Sequence, residues 1–358
     1  MSQSDNATCD SQPCMEVVFL DVGHGCCTLI VTPRKRRVVL VDCNAGAGPG
    51  TIRYLDERNL PLPEVICISH LHDDHVAGFA AIFRHLIERE ICVERVYTNY
   101  VGPTTHKRSK HGGQAVVQQL RDLLDDEQDR KRDFRSAEAP YDLDGVTLTV
   151  LHPDKFDLEE HQDRNDMLND LSGVLRVDYG KSSLLLPGDI GGWAASCLLS
   201  RYESPRLGAT LMLFPHHGAG WEYMTGTGAP ATQHGQQIVS PADFVRAIGP
   251  TWSVVSVGSE NDGSWSTYGH PGQAVLELLR EWHRENGGGF VCTEVTPRCD
   301  GDIRQRARAD SAAVPLRVPC GGSIQFNLGP DGSVSMDPTI QSKWQRVVDG
   351  LPHPQCRG

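Results

Sequence analysis

The sequence lacks a membrane span. No apolar run in its 358 residues approaches the ~18–20 residues that a bilayer-crossing helix requires. It also lacks a signal-like start. Residues 1–14 are polar, with neither a basic patch nor an apolar stretch, and read as a flexible leader, so a cytoplasmic location is expected. It lacks an excess of positive charge. With 34 Lys and Arg against 46 Asp and Glu, the formal net charge is -12, which weighs against tight, sequence-blind binding of long nucleic acid. A bound pair of divalent cations would reverse that sign locally. No internal repeat is evident from period alone.

Cysteine, in contrast, is plentiful, with 12 in the chain. Cys26, Cys27, Cys67, Cys92 and Cys197 lie in strand-like apolar contexts and read as small buried hydrophobes. Cys292, Cys299 and Cys320 lie in a loop-rich C-terminal stretch. Their spacing is not that of compact zinc-binding pairs, and a disulfide is disfavoured in a reducing compartment, so unligated thiols are expected there.

The hydrophobic content of 39% is enough to bury a core. Short apolar runs suggest strands at 16–31 (two, around a Gly-rich turn), 38–42, 64–69, 93–99, 146–151, 173–178, 183–186, 210–214 and 252–257. Helical spacing appears at 79–88, 242–248 and 273–285. Residues 104–138 form a charged insertion, 287–338 the cysteine-containing C-terminal part of a domain spanning 15–338, and 339–358 a tail with a short helix. Reactive residues recur at strand ends, where a layered scaffold aims side chains into one cleft. An α/β layered fold is the expectation.

The strongest signal is Ser69-His70-Leu71-His72-Asp73-Asp74-His75, just past a buried strand. Imidazole and carboxylate are the ligands that zinc prefers, and a loop this dense in them can serve two adjacent ions. Further candidates close strands elsewhere: Asp42 after VVLV, Asp189 in LLLPGDI, and His216-His217 in LFPHHG.

These residues carry a resemblance. His70, His72, Asp74 and His75 match the signature of the metallo-β-lactamase superfamily, which implies an αββα sandwich with metals at the edge of its two sheets. The resemblance gives Asp42 the part of the acid that supports the metal loop, Asp189 that of the bridging acid, and His217 that of the last histidine ligand; His216 beside it leaves the choice within the pair open. More narrowly, DVGHGCCTLI, LVDCNAG, HLHDDH, NDLSGVLR, LLLPGDI, PHHG, SVGSEN and YGHP fall in one order over residues 16–280. That order resembles the soluble hydrolase domain of the ComEC family of DNA-uptake proteins. The family's membrane channel is not matched, so its transport role is not implied.

Two departures stand out. His24 occupies a place where that family usually has glutamine. The mid-chain segment that holds a further histidine in many superfamily enzymes reads Asn169-Asp170-Leu171-Ser172; His152 and His161 are near in sequence but outside the matching motif. A first metal on His70 and His72 would then have fewer protein ligands, and Asn169 could ligate through its carbonyl or hold a phosphate oxygen. Zinc, one ion or two, is the expected cofactor, with manganese an alternative.

The resemblance implies a metal-bound hydroxide attacking a phosphodiester in line, the substrate being DNA or a nucleotide. Asp74 is expected to orient the nucleophile, and His216, His270 in YGHP, or His24 to assist the leaving oxygen. Asn261 in SVGSEN is expected to line the cleft. Rival readings are hydrolysis of a carboxylic ester, thioester or lactam, since fold alone does not choose a substrate, and a non-catalytic metal-binding module. No membrane partner is expected, and protein partners are not readable.

Overall fold

The computed structural model describes residues 13–339 except 35, 45–46, 92, 99–115, 117, 120–130, 133, 137, 162–166, 220–231, 234–235, 258–269 and 294–322. Its first strands, β1 (Met15–Phe19), β2 (Thr28–Val31) and β3 (Val38–Val41), pair antiparallel. They are short apolar runs rich in valine. β3 then continues in parallel to β4 (Val65–Cys67), β5 (Arg95–Tyr97) and β6 (Lys131–Arg132). Parallel pairing needs a crossover. The crossover between β3 and β4 carries α1 (Ala47–Glu57), and that between β4 and β5 carries α2 (Asp73–Val76) and α3 (Phe79–Glu88).

A second sheet follows. The strands β7 (Tyr141–Leu143), β8 (Val146–His152), β9 (Val174–Tyr179) and β10 (Ser182–Leu186) form an antiparallel meander. β11 (Leu211–Leu213), β14 (Trp252–Val255) and β15 (Gly289–Cys292) extend it in parallel beyond β10. The helices between are α4 (Lys155–His161), α5 (Gly192–Arg201), α6 (Ser204–Leu207), α7 (Pro241–Ile248) and α8 (Gln273–Asn286). A small hairpin joins β12 (Thr232–Gln233) to β13 (Gln236–Gln237). Finally β16 (Ile324–Leu328) returns to pair with β1, and β17 (Val334–Met336) closes that edge.

Strand alternation divides the apolar residues between two cores. Val17, Phe19, Ile30, Val39, Val41, Val65 and Cys67 point into a core shared with the second sheet, while Val18, Leu29, Val31, Val38, Leu40 and Ile66 point into another, with Leu55 of α1 and Phe79, Ile82, Phe83 and Leu86 of α3. Those four α3 positions follow the i, i+3, i+4, i+7 pattern of a single buried stripe. On the second sheet, α5 lies against β8 and α8 against β15. The layers therefore run helix, sheet, sheet, helix. Each fully buried Leu or Phe contributes about 1.5–3 kcal/mol relative to exposure.

Among the described residues the expected strands and helices are present within a few residues of their stated limits; the short helix expected in the tail lies almost wholly outside them. The expected segments do not include α1, α2, α4, α5, α6, β6, β7, β12, β13, β15, β16 or β17. Cys292, expected in a loop-rich stretch, instead ends β15 and is fully buried. Cys14 is disulfide-bonded, which the expectation of a reducing compartment does not anticipate. Cys92, Cys299, Cys320 and Asn261, most of the charged insertion and nearly all of the tail lie outside the described residues. Among the described residues, no helix is long and apolar enough to cross a membrane.

Candidate metal centre

Among the described residues, polar side chains gather in the loops at one edge of the sandwich. Asp42 follows β3, Ser69 to His75 follow β4, Asp189 follows β10, His216 and His217 follow β11, and Ser256 follows β14. These are the carboxyl ends of the parallel strands. β2 and β9 run the other way, so the residues that precede them, Gly25-Cys26 and Asn169 to Ser172, reach the same edge.

Asp42 is the anchor. Its φ of 56° turns the chain sharply off β3 and aims the carboxylate at the β4 loop. It accepts from the Ser69 amide at 2.8 Å and the Ser69 hydroxyl at 2.7 Å, and from His75 Nδ1 at 2.8 Å. His75 must therefore carry a proton on Nδ1, which leaves Nε2 as the nitrogen that faces inward. Ser69 Oγ lies 3.1 Å from His70 Nδ1 and passes the same instruction to His70. His217, at a φ of 53° in the tight turn after β11, donates from Nδ1 to the Ser256 carbonyl at 2.9 Å.

The inward nitrogens meet in two groups. His75 Nε2 and His217 Nε2 are 3.3 Å apart; Asp189 stands 3.1 Å from the first and 3.5 Å from the second, and Asp74 3.3 Å from His217. Beside them, His70 Nε2 faces His72 Nδ1 at 3.1 Å, with Asp189 at 3.8 Å. Thus Asp74, His75, Asp189 and His217 form one set of converging donors and His70, His72 and Asp189 another, with Asp189 common to both. Asp189 is positioned by Ser172, whose hydroxyl accepts from its amide at 3.2 Å, and by Gly188 at φ +59°, where a Cβ would fall 2.9 Å from Ser172.

The donor sets suit a divalent ion on two grounds. Their chemistry is imidazole and carboxylate at mutual distances that one ion can span. In addition, Asn169 Oδ1 is buried without a hydrogen-bond partner among the described residues, a cost that a cation would remove. The electrostatics agree. Burial opposes charge on Asp189 and Asp74, yet the surrounding imidazoles hold both carboxyls below the usual range. Burial likewise opposes charge on His75 and His217, yet Asp189 raises both well above an ordinary imidazole. The set seeks positive charge at its centre.

At the rim, burial is the main force. It lowers His70, His72 and His216 below an ordinary imidazole, His24 to about 4 and His270 to about 3, with neighbouring imidazoles adding to the effect. His24 Nε2 is 3.4 Å from Asp74, and its ring is 4.5 Å from that of His217 and 6.2 Å from that of His270. His216, at a φ of 51°, lies 5.2 Å ring to ring from His270, 3.9 Å from Asp189 and 3.4 Å from Asn169 Nδ2. His216 thus stays at the wall, while His217 enters the four-donor set. His270 does not cap α8 through its side chain.

His152 is brought beneath this wall rather than into it. It is fully buried, and Nε2 donates to the Asp170 carbonyl at 2.7 Å. The sequence gives no sign of the parts played by Ser69 and Ser256, because a hydroxyl and a carbonyl acceptor have no signature spacing. It gives a hint of Cys26, which follows a Gly-His-Gly turn. Its burial was expected; its place beside His217 was not.

The model of the metallo-beta-lactamase superfamily matches residues 20–194. The competence protein ComA of Neisseria gonorrhoeae is 23% identical over 316 residues, covering 88% of this chain and 33% of that protein. The uncharacterized protein YcaI of Escherichia coli K12 is 47% identical over 210 residues, 57% of this chain and 22% of that protein. The chain therefore spans about a third or less of these relatives. Among solved structures, a putative metal-dependent hydrolase of Parabacteroides distasonis aligns with 78% of this chain and 93% of its own at 11% identity and a TM-score of 0.40. The short form of human tRNase Z aligns with 67% of this chain and 91% of its own at 15% identity and a TM-score of 0.37. With the loops after β3, β4 and β10 all inside the matched stretch, residues 20–194 of this chain belong to the metallo-beta-lactamase superfamily, and its two sheets with their flanking helices form that superfamily's αββα sandwich.

Proposed function

We propose that this chain is a metal-dependent hydrolase of phosphodiesters, DNA or a nucleotide among them. The observation that carries the proposal is the pair of donor sets sharing Asp189. His70, His72 and Asp189 would hold one ion, and Asp74, His75, Asp189 and His217 a second. Such a pair supplies a polarised water and neutralises charge on the phosphoryl oxygens. The kinship with a competence protein favours DNA; the acidic net charge of -12 favours a short or small substrate. Zinc suits these donors, and manganese would suit the first set best because an amide and a carboxylate stand beside it.

The protein groups divide the remaining work. Asp74, the most exposed of the carboxylates at 26%, stands at the mouth and can orient the attacking water. Asn169 offers an amide to a phosphate oxygen. His216 and His270 are neutral at pH 7 given their lowered basicity, so their proposed part is to donate N–H hydrogen bonds to phosphate and leaving oxygens rather than to carry charge. Asn261 is retained as a candidate for lining the cleft.

The test pairs metal content with turnover. The purified protein is analysed for bound metal, then assayed on bis-p-nitrophenyl phosphate, linear DNA, RNA and cyclic dinucleotides with zinc, manganese or magnesium, beside a His72→Ala, Asp74→Ala double variant. Metal-dependent cleavage that the variant loses is the expected result. Turnover of ester, thioester or lactam substrates with none of the phosphodiesters would overturn the substrate class. Absence of bound metal after reconstitution would overturn catalysis and leave a binding module.

A further inference from the structure

One buried group beside the centre has no part in the account above: the thiol of Cys26, 5% exposed, at the end of the turn between β1 and β2. Its Sγ lies 4.0 Å from His217 Nδ1. Together with one nitrogen each of His75 and His217 it forms a third set of donors, all within 4.8 Å of one another. These are the same two histidines that converge with Asp74 and Asp189. A soft donor thus backs a set made otherwise of nitrogen and oxygen.

The turn is built to keep it there. The Cys26 amide donates to the Asp74 carbonyl at 3.0 Å, and the Cys26 carbonyl accepts from the Asn44 amide at 3.1 Å. The Ser256 hydroxyl donates to the Gly25 carbonyl at 2.7 Å. Gly25, at φ +127°, approaches so closely that a Cβ would fall 2.3 Å from the Asp74 carbonyl oxygen. The turn therefore rides on the backbone of the metal loop itself. A small cavity lined by Cys26, Asp42, Ser69 and Gly188 adjoins the thiol. Zinc–sulfur bonds are about 0.2–0.3 Å longer than zinc–nitrogen bonds, so a sulfur can serve an ion from a slightly deeper seat. The present contact is to Nδ1, the nitrogen committed to Ser256, so ligation of the same ion requires Sγ to turn toward the Nε2 edge of the ring.

We infer that Cys26 is a sulfur donor to the ion held by His75 and His217, and that it gives this half of the centre a preference for thiophilic ions such as zinc, cobalt(II) and cadmium over manganese. On binding, the S–H proton leaves to solvent and the sulfur lone pair forms the bond to the ion. The inference rests on the reading that these residues hold a divalent metal.

Titration of the metal-free protein with cobalt(II), followed by absorption, tests it. The expected spectrum combines the visible bands of bound cobalt with a near-ultraviolet sulfur-to-cobalt charge-transfer band. In Cys26→Ser and Cys26→Ala the cobalt stoichiometry and visible bands remain while the charge-transfer band is lost, and zinc loses at least tenfold of its advantage over manganese in competition. Cobalt bound to the wild-type chain without that band overturns the role of Cys26, whatever the variants do; so does a band that survives in both. Failure of the wild-type chain to bind cobalt, or binding untouched by His75→Ala, overturns the underlying metal reading instead.

Discussion

The two halves of the centre share a carboxylate but are finished differently. Around His75 and His217, each outward nitrogen is tied to an acceptor: Asp42 at 2.8 Å for one, the Ser256 carbonyl at 2.9 Å for the other. Both side chains are essentially buried, and four donors converge. Around His70 and His72, only His70 is tied, through Ser69. His72 is partly exposed, and no acceptor fixes its outer nitrogen among the described residues. At the place where the family resemblance expects a third histidine stands Asn169, whose buried Oδ1 has no hydrogen-bond partner among the described residues and whose Nδ2 lies 3.4 Å from His216. Outer partners fix the tautomer and strengthen a ligand. The difference therefore teaches that, on the proposed reading, one half would hold its ion closely while the other would be left open, with room for substrate oxygen to join it.

Removing the shared residue should have the largest effect. Asp189→Ala is expected to empty both halves and to lower phosphodiesterase activity by roughly a thousandfold or more, the worth of several kcal/mol of charge stabilisation. Two bound ions by elemental analysis in that variant would break the comparison at its root. Next comes the asymmetry itself. Equilibrium dialysis of the wild-type chain is expected to show one tight and one weak ion. His72→Ala should keep the tight ion, and His75→Ala should lose it. Equal affinities, or the reverse loss, would mean that support from behind does not set affinity here.

Smaller changes sharpen the point. Asp42→Asn keeps the size of the anchor but weakens its hold on His75; metal affinity should fall about 10–100-fold, with the loss confined to the tighter ion. Asn169→His supplies the open half with a third imidazole. That ion should then bind about tenfold more tightly, as an added nitrogen ligand would give. A metal titration in which Asn169→His leaves the weaker constant unchanged would show that this position does not face the ion.

Much of this was legible in the sequence, for identifiable reasons. The six residues His70 to His75 are local, so their density alone marks the β4 loop. Asp42, Asp189 and His217 end apolar runs, and strand ends in a layered fold converge. α3 could be read to the residue because its stripe is regular. α1 was missed because Gly48, Gly50 and Pro49 argue against a helix. Its Gly48 is there for packing: a Cβ would fall 2.4 Å from the Gly78 carbonyl oxygen. β16 and β17 were passed over although Gly329-Pro330-Asp331-Gly332 is a turn with a mechanism, because the cysteines nearby drew the reading toward loops. What could not be read is long-range: the tie from Ser256 to His217, the thiol of Cys26 beside them, and the seat of His152. Each depends on where two distant strands lie side by side.

The smallest expected effect concerns the support beneath the open half. His152 donates from Nε2 to the Asp170 carbonyl, next to Asn169, and its Nδ1 faces Asp157 at 3.4 Å. Arg201 grips Asp157 with two hydrogen bonds, at 2.6 and 2.7 Å. Burial holds the His152 imidazole below its ordinary value despite Asp157. In the unfolded chain this histidine takes up a proton near its ordinary value of about 6.5; in the native protein it resists until lower pH. Stability is therefore complete above that value and falls as pH drops toward the lowered native value. Asp157 is different: burial opposes its charge, but Arg201 and His152 depress its carboxyl. Its contribution is present above the ordinary aspartate value and lost only as pH falls through the depressed one. Between pH 7.5 and 5.5 the slope thus belongs to His152 and not to Asp157. His152→Gln keeps a donor for the Asp170 carbonyl and cannot titrate. Urea unfolding of both proteins in chelator is expected to show a fall in stability over that window that is smaller in the variant by about 1 kcal/mol. The histidines of the metal centre titrate in both proteins and cancel in the difference. Parallel pH profiles would show that His152 exchanges its proton equally in both states, and that the open half rests on something other than this buried imidazole.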